Sequence, residues 1–444
     1  MRIVLLPAFV ILATFAVTAT AQDLRSFVDS ETQPLVDTYK DIHAHPELSH
    51  SEARTSGMLA AALREAGFTA TERVGRYPDG SQAYGVVGIL KNGAGPMLMI
   101  RADMDALPIV EETGLQYASN VTAKNANGET VGVMHVCGHD VHTTVLIGTA
   151  RAMAAMKSQW HGTLMLVGQP SEETIDGAKA MLADHLYERF GRPDRIIGLH
   201  DASQLPAGTV GIRGGPSYAS ETSVDVVIRG IGGHGAVPQN GRDPITLAAL
   251  YITQIQTIVS REEDPQDPTV VTVGSIRGGT IRNTIPDAVK LELKTRSFTD
   301  KSRDIVIQGL KEMAAGVTAS AGLPPDKAAT VTVLEDESTP VLYNDPAQTE
   351  RVKATLMKTI GAENVVEIPP TMASEDVGVF ALPNHEIPLT YFRLGAMDPT
   401  KLAAAKAAGK NLPGGHTSRF EPLPEPTLRT GVTAMTAVAL SLLQ

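Results

Sequence analysis

The sequence predicts a two-domain α/β protein: a large layered α/β domain with a largely parallel sheet, and an inserted ferredoxin-like α+β domain. Three observations predict it. Near-continuous apolar strands such as "PMLMIRAD" (96–103) and "GTLMLVGQ" (162–169) alternate with helical segments up to about residue 215, as in a sheet covered on both faces. From there the order becomes β-α-β-β-α-β, and the strands alternate polar with apolar residues, so one sheet face is open to water. The chain's 444 residues, 43% of them apolar and 20% charged, suffice for more than one core.

The elements follow in order. Arg2, the apolar run "IVLLPAFVILATFAV" and the A-x-A pattern ending at Ala21 read as a cleavable leader over residues 1–21. Pro7 and the short apolar core argue against a retained anchor, so no stable membrane span is expected after its removal. In a bacterial host the mature protein is then periplasmic or secreted. Next, "LRSFVDSETQPLVDTYKDIHAHPEL" predicts an amphipathic helix ending before Pro46. "SEARTSGMLAAALREAG" predicts a second helix with a serine cap and a terminal Gly67. Strands are expected at "YGVVGILK", at "PMLMIRAD", at "GTLMLVGQ" and at "DRIIGLH", the last ending in His200. Helices are expected from about Asp140 to Lys157 and over "AKAMLADHLYE". The pattern changes near "RGGPS" (213–217). The sequence therefore divides into 22–215, an inserted domain over 216–334 and a return to the first domain over 335–444, which includes the strand "PLTYFRLG".

The net charge of −11 and pI near 5.6 offer no basic stripe for phosphates, which excludes a nucleic-acid partner. The single cysteine cannot close an intrachain disulfide, although the leader points to an oxidising compartment. Its setting, "VMHVCGHDVHTT" (133–144), points elsewhere. Cys137 and His139 flank Gly138 just before a helix, so a turn can aim sulfur and imidazole at one point, and zinc-like metals accept sulfur, nitrogen and oxygen together. On its own, "CGH" is equally compatible with a buried turn. His142, one helical turn beyond His139, reads as a ligand or as a residue supporting one. Asp103, the pair Glu172–Glu173 and His200 each follow an apolar strand, and ligand crevices in α/β sheets lie at strand carboxyl ends. Adjacent glutamates there can divide labour: one holds a metal and the other takes a proton from water.

Taken together, "HAHPELSHSE", "RADMDALPI", "HVCGHDVHTT", "QPSEE", "GLH", "GGHGAVPQ", "NTIPD", "SED" and "HTSRF" resemble, in the same order, the dinuclear metallopeptidase-type amidohydrolases. That family includes aminoacylases, carboxypeptidases and hippurate or auxin-conjugate hydrolases, and the resemblance covers nearly all of the mature chain. It implies two divalent metal ions, zinc or manganese, with cobalt or nickel also admitted, on Cys137, His139, Glu173, His200 and His416. It further implies Glu172 as general base and then acid, and Asp105 as the aspartate that orients the ligands. His234 would stabilise the oxyanion, reaching the partner's site in a homodimer formed through the inserted lid domain, and Asn283 and Arg296 would hold the substrate. His43 and His45 fall in an N-terminal structural motif, and "SED" (374–376) supports the pocket wall. Three departures reshape the substrate pocket: Thr174, Asp201 and Val377. The activity implied is metal-dependent hydrolysis of an amide in N-acyl amino acids or related conjugates. The competing readings are a dipeptidase or carboxypeptidase on short peptides, and a non-catalytic periplasmic solute-binding protein. Retention of Glu172 argues against the last, because binding alone needs no proton carrier.

Overall fold

The apolar strands read from the sequence meet in one sheet. The protein is seen here as a computed structural model that describes residues 11–125 and 127–444, with side chains described from Asp23 onward. The first ten residues of the expected leader lie outside the described residues, and a helix, Ile11–Ala44, continues through the expected cleavage point. No described helix is long and apolar enough to cross a membrane. The chain divides into two units. The first comprises the chain up to Gly215 with Asn344–Pro369 and Phe380–Gln444; the second comprises Pro216–Tyr343 and Pro370–Val379.

The first unit carries an eight-stranded sheet. Its order is Thr69–Arg76, Gln82–Asn92, Gly162–Gln169, Met97–Asp103, Arg195–Pro206, Leu389–Met397, Val210–Ile212 and Val365–Glu367. Each neighbouring pair among Gly162–Gln169, Met97–Asp103, Arg195–Pro206 and Leu389–Met397 is parallel, so these four strands point their carboxyl ends the same way. Nearly every residue of Gly162–Gln169 and Met97–Asp103 is buried, which is why their apolar runs are unbroken. The helices Ile11–Ala44, His139–Ala155 and Pro424–Leu442 pack against one another, and Val145, Leu146, Val432 and Met435 join the strands' Ile100 and Leu166 in one core.

The second unit has a four-stranded antiparallel sheet in the order Val270–Gly278, Ala288–Ser297, Ser220–Arg229 and Thr330–Thr339. With helices Pro244–Thr257 and Asp300–Ser320 this is the ferredoxin-like arrangement. Burial alternates along Ala288–Ser297, and its buried Val289, Leu291 and Leu293 meet Tyr251, Ile255 and Leu310 of the helices.

Four local features differ from the sequence expectation. Thr69–Arg76 is an edge strand whose polar residues hide its period. The helix Ala53–Glu65 has no serine cap: the Glu47 carboxylate accepts the Arg54 and Thr55 N–H groups at 2.9 and 2.8 Å. The helix expected over "AKAMLADHLYE" is two helices, Gly177–Ala183 and Leu186–Phe190, broken where His185 takes φ +59°. The strand expected to end at His200 runs on to Pro206.

His43 ties the first helix to the helix that begins at His139. It is fully buried, with Nδ1 2.7 Å from Asp140 Oδ2 and Nε2 3.2 Å from Glu111 Oε1. Both ring nitrogens are engaged, so this histidine is a structural clamp. Burial pulls its pKa down, but the hydrogen bonds to Asp140 and Glu111 outweigh that and hold it up at about 9. A folded value above the unfolded 6.5 stabilises the protein fully below pH 6.5, and the contribution disappears as pH rises through 9. The rise corresponds to about 3 kcal/mol. Denaturant unfolding of wild type and His43→Gln should therefore differ most below pH 6.5 and converge toward pH 9; a constant difference across that window would disprove the clamp's charge.

Candidate metal centre

The site is assembled at the carboxyl ends of the parallel strands. Asp103 closes its strand in register with Gln169, the last residue of the neighbouring strand, and Glu172 and Glu173 follow in the turn three and four residues past Gln169. His200 lies within its strand, opposite Arg393, rather than after it. Cys137 and His139 flank Gly138, whose φ of +79° caps the helix His139–Ala155. A Cβ on Gly138 would fall 2.2 Å from Asp201 Oδ1, so both the conformation and the space demand glycine. His416 arrives from a loop in a left-handed conformation, φ +62°, held by its N–H donating to Val136 O at 2.8 Å.

These residues converge. Cys137 Sγ lies 3.4 Å from His200 Nε2 and 3.2 Å from His416 Nε2. Glu173 Oε1 is 3.6 Å from His416 Nε2 and 3.9 Å from His139 Nε2, and Glu172 Oε2 is 3.8 Å from His139 Nε2. Two groups of potential ligands, Cys137–His139–His200 and Cys137–Glu173–His416, each keep their donor atoms within 4.8 Å and share the cysteine.

Asp105 orders this set from behind. Its Oδ1 accepts the Glu172 N–H at 3.1 Å and its Oδ2 accepts the Glu173 N–H at 3.0 Å and the Ser49 hydroxyl at 2.7 Å. The Asp105 carbonyl lies 2.8 Å from His139 Nδ1, which turns Nε2 toward the other donors. A second chain of contacts runs from the fully buried Arg101, whose guanidinium donates to Asp103 at 2.6 Å. Asp103 lies 2.5 Å from His142 Nδ1, and His142 Nε2 accepts the Asp201 N–H at 2.8 Å. With both ring nitrogens engaged, His142 supports the site instead of donating to it, although its position alone would fit a ligand group. The Asp201 carbonyl lies 2.7 Å from His200 Nδ1, leaving Nε2 to face Cys137.

The donor set fits a cation. His139 Nε2 and Glu173 Oε1 are buried without a hydrogen-bond partner, an expensive condition unless something positive sits between them. Burial, and then Glu173, push the Cys137 thiol well above the ordinary thiol range, and burial lifts Glu173 to about 7 against the pull of His139. Acids that ionise only at such cost are relieved by a bound cation, whose charge reverses the local balance.

In the second unit, His234 and Asn283 lie together: His234 pairs with Thr284, and the Gly235 N–H donates to Asn283 O at 2.9 Å. Both side chains are exposed, and His234 Nδ1 accepts the Ala236 N–H at 3.0 Å, so Nε2 carries the proton. Arg296 is held elsewhere in that unit. It pairs with Glu221 Oε2 at 2.5 Å and donates to Met372 O at 2.8 Å and to Ser374 Oγ at 3.3 Å. The "SED" segment thus supports Arg296 through hydrogen bonds. Sequence reasoning left out Arg101 and Ser49. A charged residue inside an apolar strand signals Arg101, since such a residue is buried only with a partner; nothing in the sequence singles out Ser49.

Residues 99–439 match the family model described as peptidase family M20/M25/M40. An IAA-amino acid hydrolase of Arabidopsis thaliana is 37% identical over 355 residues, covering 79% of this chain and 76% of that protein. A hippurate hydrolase of Campylobacter jejuni is 34% identical, covering 76% and 82% of the two chains. Among solved structures, an aminohydrolase from methicillin-resistant Staphylococcus aureus superposes with a TM-score of 0.83 at 30% identity, covering 95% of this chain and all of that one. A dinuclear metal-binding M20 peptidase of Bacillus subtilis superposes with a TM-score of 0.73 at 26% identity, covering 94% and 99%. Strand-end acids, a shared cysteine and a match across most of the chain lead to one conclusion: the chain belongs to peptidase family M20/M25/M40 and is one of its metal-dependent hydrolases.

Proposed function

We propose that this chain hydrolyses the amide bond of N-acyl amino acids or related amide conjugates, with two divalent cations held by Cys137, His139, Glu173, His200 and His416. The observation that carries the reading is the placement of Glu172: its carboxylate stands 3.8 Å from His139 Nε2, and Asp105 pins its backbone N–H. A binding protein has no use for a proton acceptor at that point. The two named hydrolases act on an IAA–amino acid conjugate and on hippurate, which supports the acyl-amino acid class over free peptides. Sulfur, nitrogen and oxygen donors together suit zinc, and the mixed set also admits manganese, cobalt or nickel.

When bound, the cations supply Lewis acidity and lower the pKa of water. Glu172 accepts the proton of the attacking water and delivers it to the departing amide nitrogen, which would otherwise be a poor leaving group. Asp105 keeps Glu172 and Glu173 in place through consecutive backbone N–H groups. His234, with its Nε2 proton facing outward, serves as the donor to developing negative charge in the site of a partner copy. Asn283, exposed beside His234, holds the substrate with it, whereas Arg296 is engaged by Glu221, Met372 O and Ser374 Oγ in a separate part of the unit.

A homodimer through the second unit is supported by its exposed apolar residues. Leu250 is 53% exposed, Ile276 54% and Ile281 61%, and the strand Val270–Gly278 is an edge of its sheet. Export is supported by the leader composition.

Four outcomes test this reading. Chelated protein should lose hydrolysis of N-acyl amino acids and regain it with an added divalent cation. Glu172→Gln should retain bound metal while kcat falls about 10²–10⁴-fold; a Glu172→Gln enzyme with wild-type turnover refutes the proton carrier. The double variant Leu250→Asp/Ile276→Asp should run as a monomer in light scattering, with turnover about 10²-fold lower if His234 acts in trans; an active monomer refutes that role. Intact mass of the exported protein should begin at Gln22, and a chain still carrying Met1 rules out cleavage.

A further inference from the structure

Glu52 is a fully buried carboxylate outside every ligand group described above. It is the N-cap residue of the helix Ala53–Glu65, yet its Oε1 accepts hydrogen bonds from the loop that carries Glu172 and Glu173. Ser171, the residue before Glu172, has φ +54°, a left-handed conformation that a side chain disfavours unless its surroundings enforce it. Glu52 Oε1 accepts the Ser171 N–H at 2.8 Å and its hydroxyl at 3.0 Å. The His50 N–H reaches the same Glu52 oxygen at 3.1 Å and Ser171 Oγ at 2.9 Å. With the Ser171 proton given to Glu52, the Tyr77 hydroxyl, 2.6 Å away, donates to Ser171 Oγ. His50 stacks on the Tyr77 ring at 4.1 Å and 14°, and its Nε2 lies 3.0 Å from Asp176 Oδ2 at the far end of the loop.

Three consecutive backbone N–H groups are therefore held by two buried carboxylates: Ser171 by Glu52, and Glu172 and Glu173 by Asp105. Asp105 alone fixes two N–H groups but leaves the direction of approach to them free. Glu52 supplies the missing restraint one residue earlier, at the strained position.

We propose that Glu52 is a positioning residue for the reaction: by locking Ser171 in its left-handed conformation it aims the Glu172 carboxylate. The inference rests on the proton-carrier role assigned to Glu172. It acts on the chemical step and not on substrate binding, because Glu52 is fully buried and offers a substrate no surface.

The test uses the full-length, metal-loaded enzyme and an N-acyl amino acid that wild type turns over. Glu52→Ala should lower kcat about 10–100-fold, as expected of a small misplacement of a reacting group, with KM changed less than about 3-fold and metal content kept. Glu52→Gln, whose amide oxygen can accept the same donors, should recover kcat to within about 3-fold of wild type. Wild-type kcat in Glu52→Ala, equal damage in both variants, or metal loss in Glu52→Ala overturns the inference. Should Glu52→Ala fail to fold, Tyr77→Phe removes only the hydroxyl donated to Ser171 and leaves the ring on His50. It should lower kcat several-fold at unchanged KM, and an unaltered kcat there overturns the inference as well. No turnover by wild type would instead refute the hydrolytic reading itself.

Discussion

The site depends on one buried carboxylate. Asp105 accepts the backbone N–H groups of Glu172 and Glu173 and the hydroxyl of Ser49, and its carbonyl fixes the imidazole of His139. An ionised carboxylate in a dry interior survives only where donors surround it: burial raises the Asp105 pKa, but the His139 imidazole above all, then the Ser49 hydroxyl and the Glu173 N–H, bring it below the ordinary value. The dependence runs both ways. Asp105 needs the loop for its charge, and the loop needs Asp105 for its conformation. Two strand ends and a helix start are thereby tied into one unit before any ligand arrives.

The second chain of contacts orients the remaining imidazoles. Arg101, Asp103, His142 and Asp201 form one continuous hydrogen-bonded chain that leads to His200. Such a network is costly if any member is left unpaired, so its value lies in specifying one geometry rather than in added stability. It selects Nε2 of His200 as the atom that faces Cys137, because Nδ1 is already bound to the Asp201 carbonyl; the Asp105 carbonyl binds Nδ1 of His139 in the same way. Gly138 completes it, since any side chain there would displace Asp201.

Much of this was legible in the sequence because the parallel sheet imposes a simple rule. Buried strands read as apolar runs, and the polar residue that follows each run lands at the same edge, which is how Asp103 and the Glu172–Glu173 pair were found. The ferredoxin-like unit was legible for a similar reason, since its half-exposed strands alternate. What stayed hidden depends on contacts between residues far apart in the chain. Nothing local in "LSHSE" says that Glu52 will meet Ser171, and nothing in "DVHTT" says that both nitrogens of His142 are engaged before a metal could use them. The strand expected to end at His200 runs on to Pro206, because pairing of Asp201 with Leu394 on the neighbouring strand carries it further. The edge strand Thr69–Arg76 failed for the opposite reason, having too little burial to leave a period.

The ligand candidates differ in how firmly they are held, and the difference follows from where each is attached. His139 opens a buried helix, is itself fully buried and has its second nitrogen fixed. His416 is 58% exposed and hangs on a loop, in a backbone conformation that costs energy and is held by one bond to Val136. That bond ties the His416 loop to the residue next to Cys137, so the exposed histidine is registered against the shared donor and not against solvent. A site built in this way has a rigid floor of His139, Asp105 and the Glu172–Glu173 loop beneath one outer histidine. The floor fixes the Glu172–Glu173 loop and His139 through buried hydrogen bonds, whereas the exposed outer histidine depends on its backbone bond to Val136.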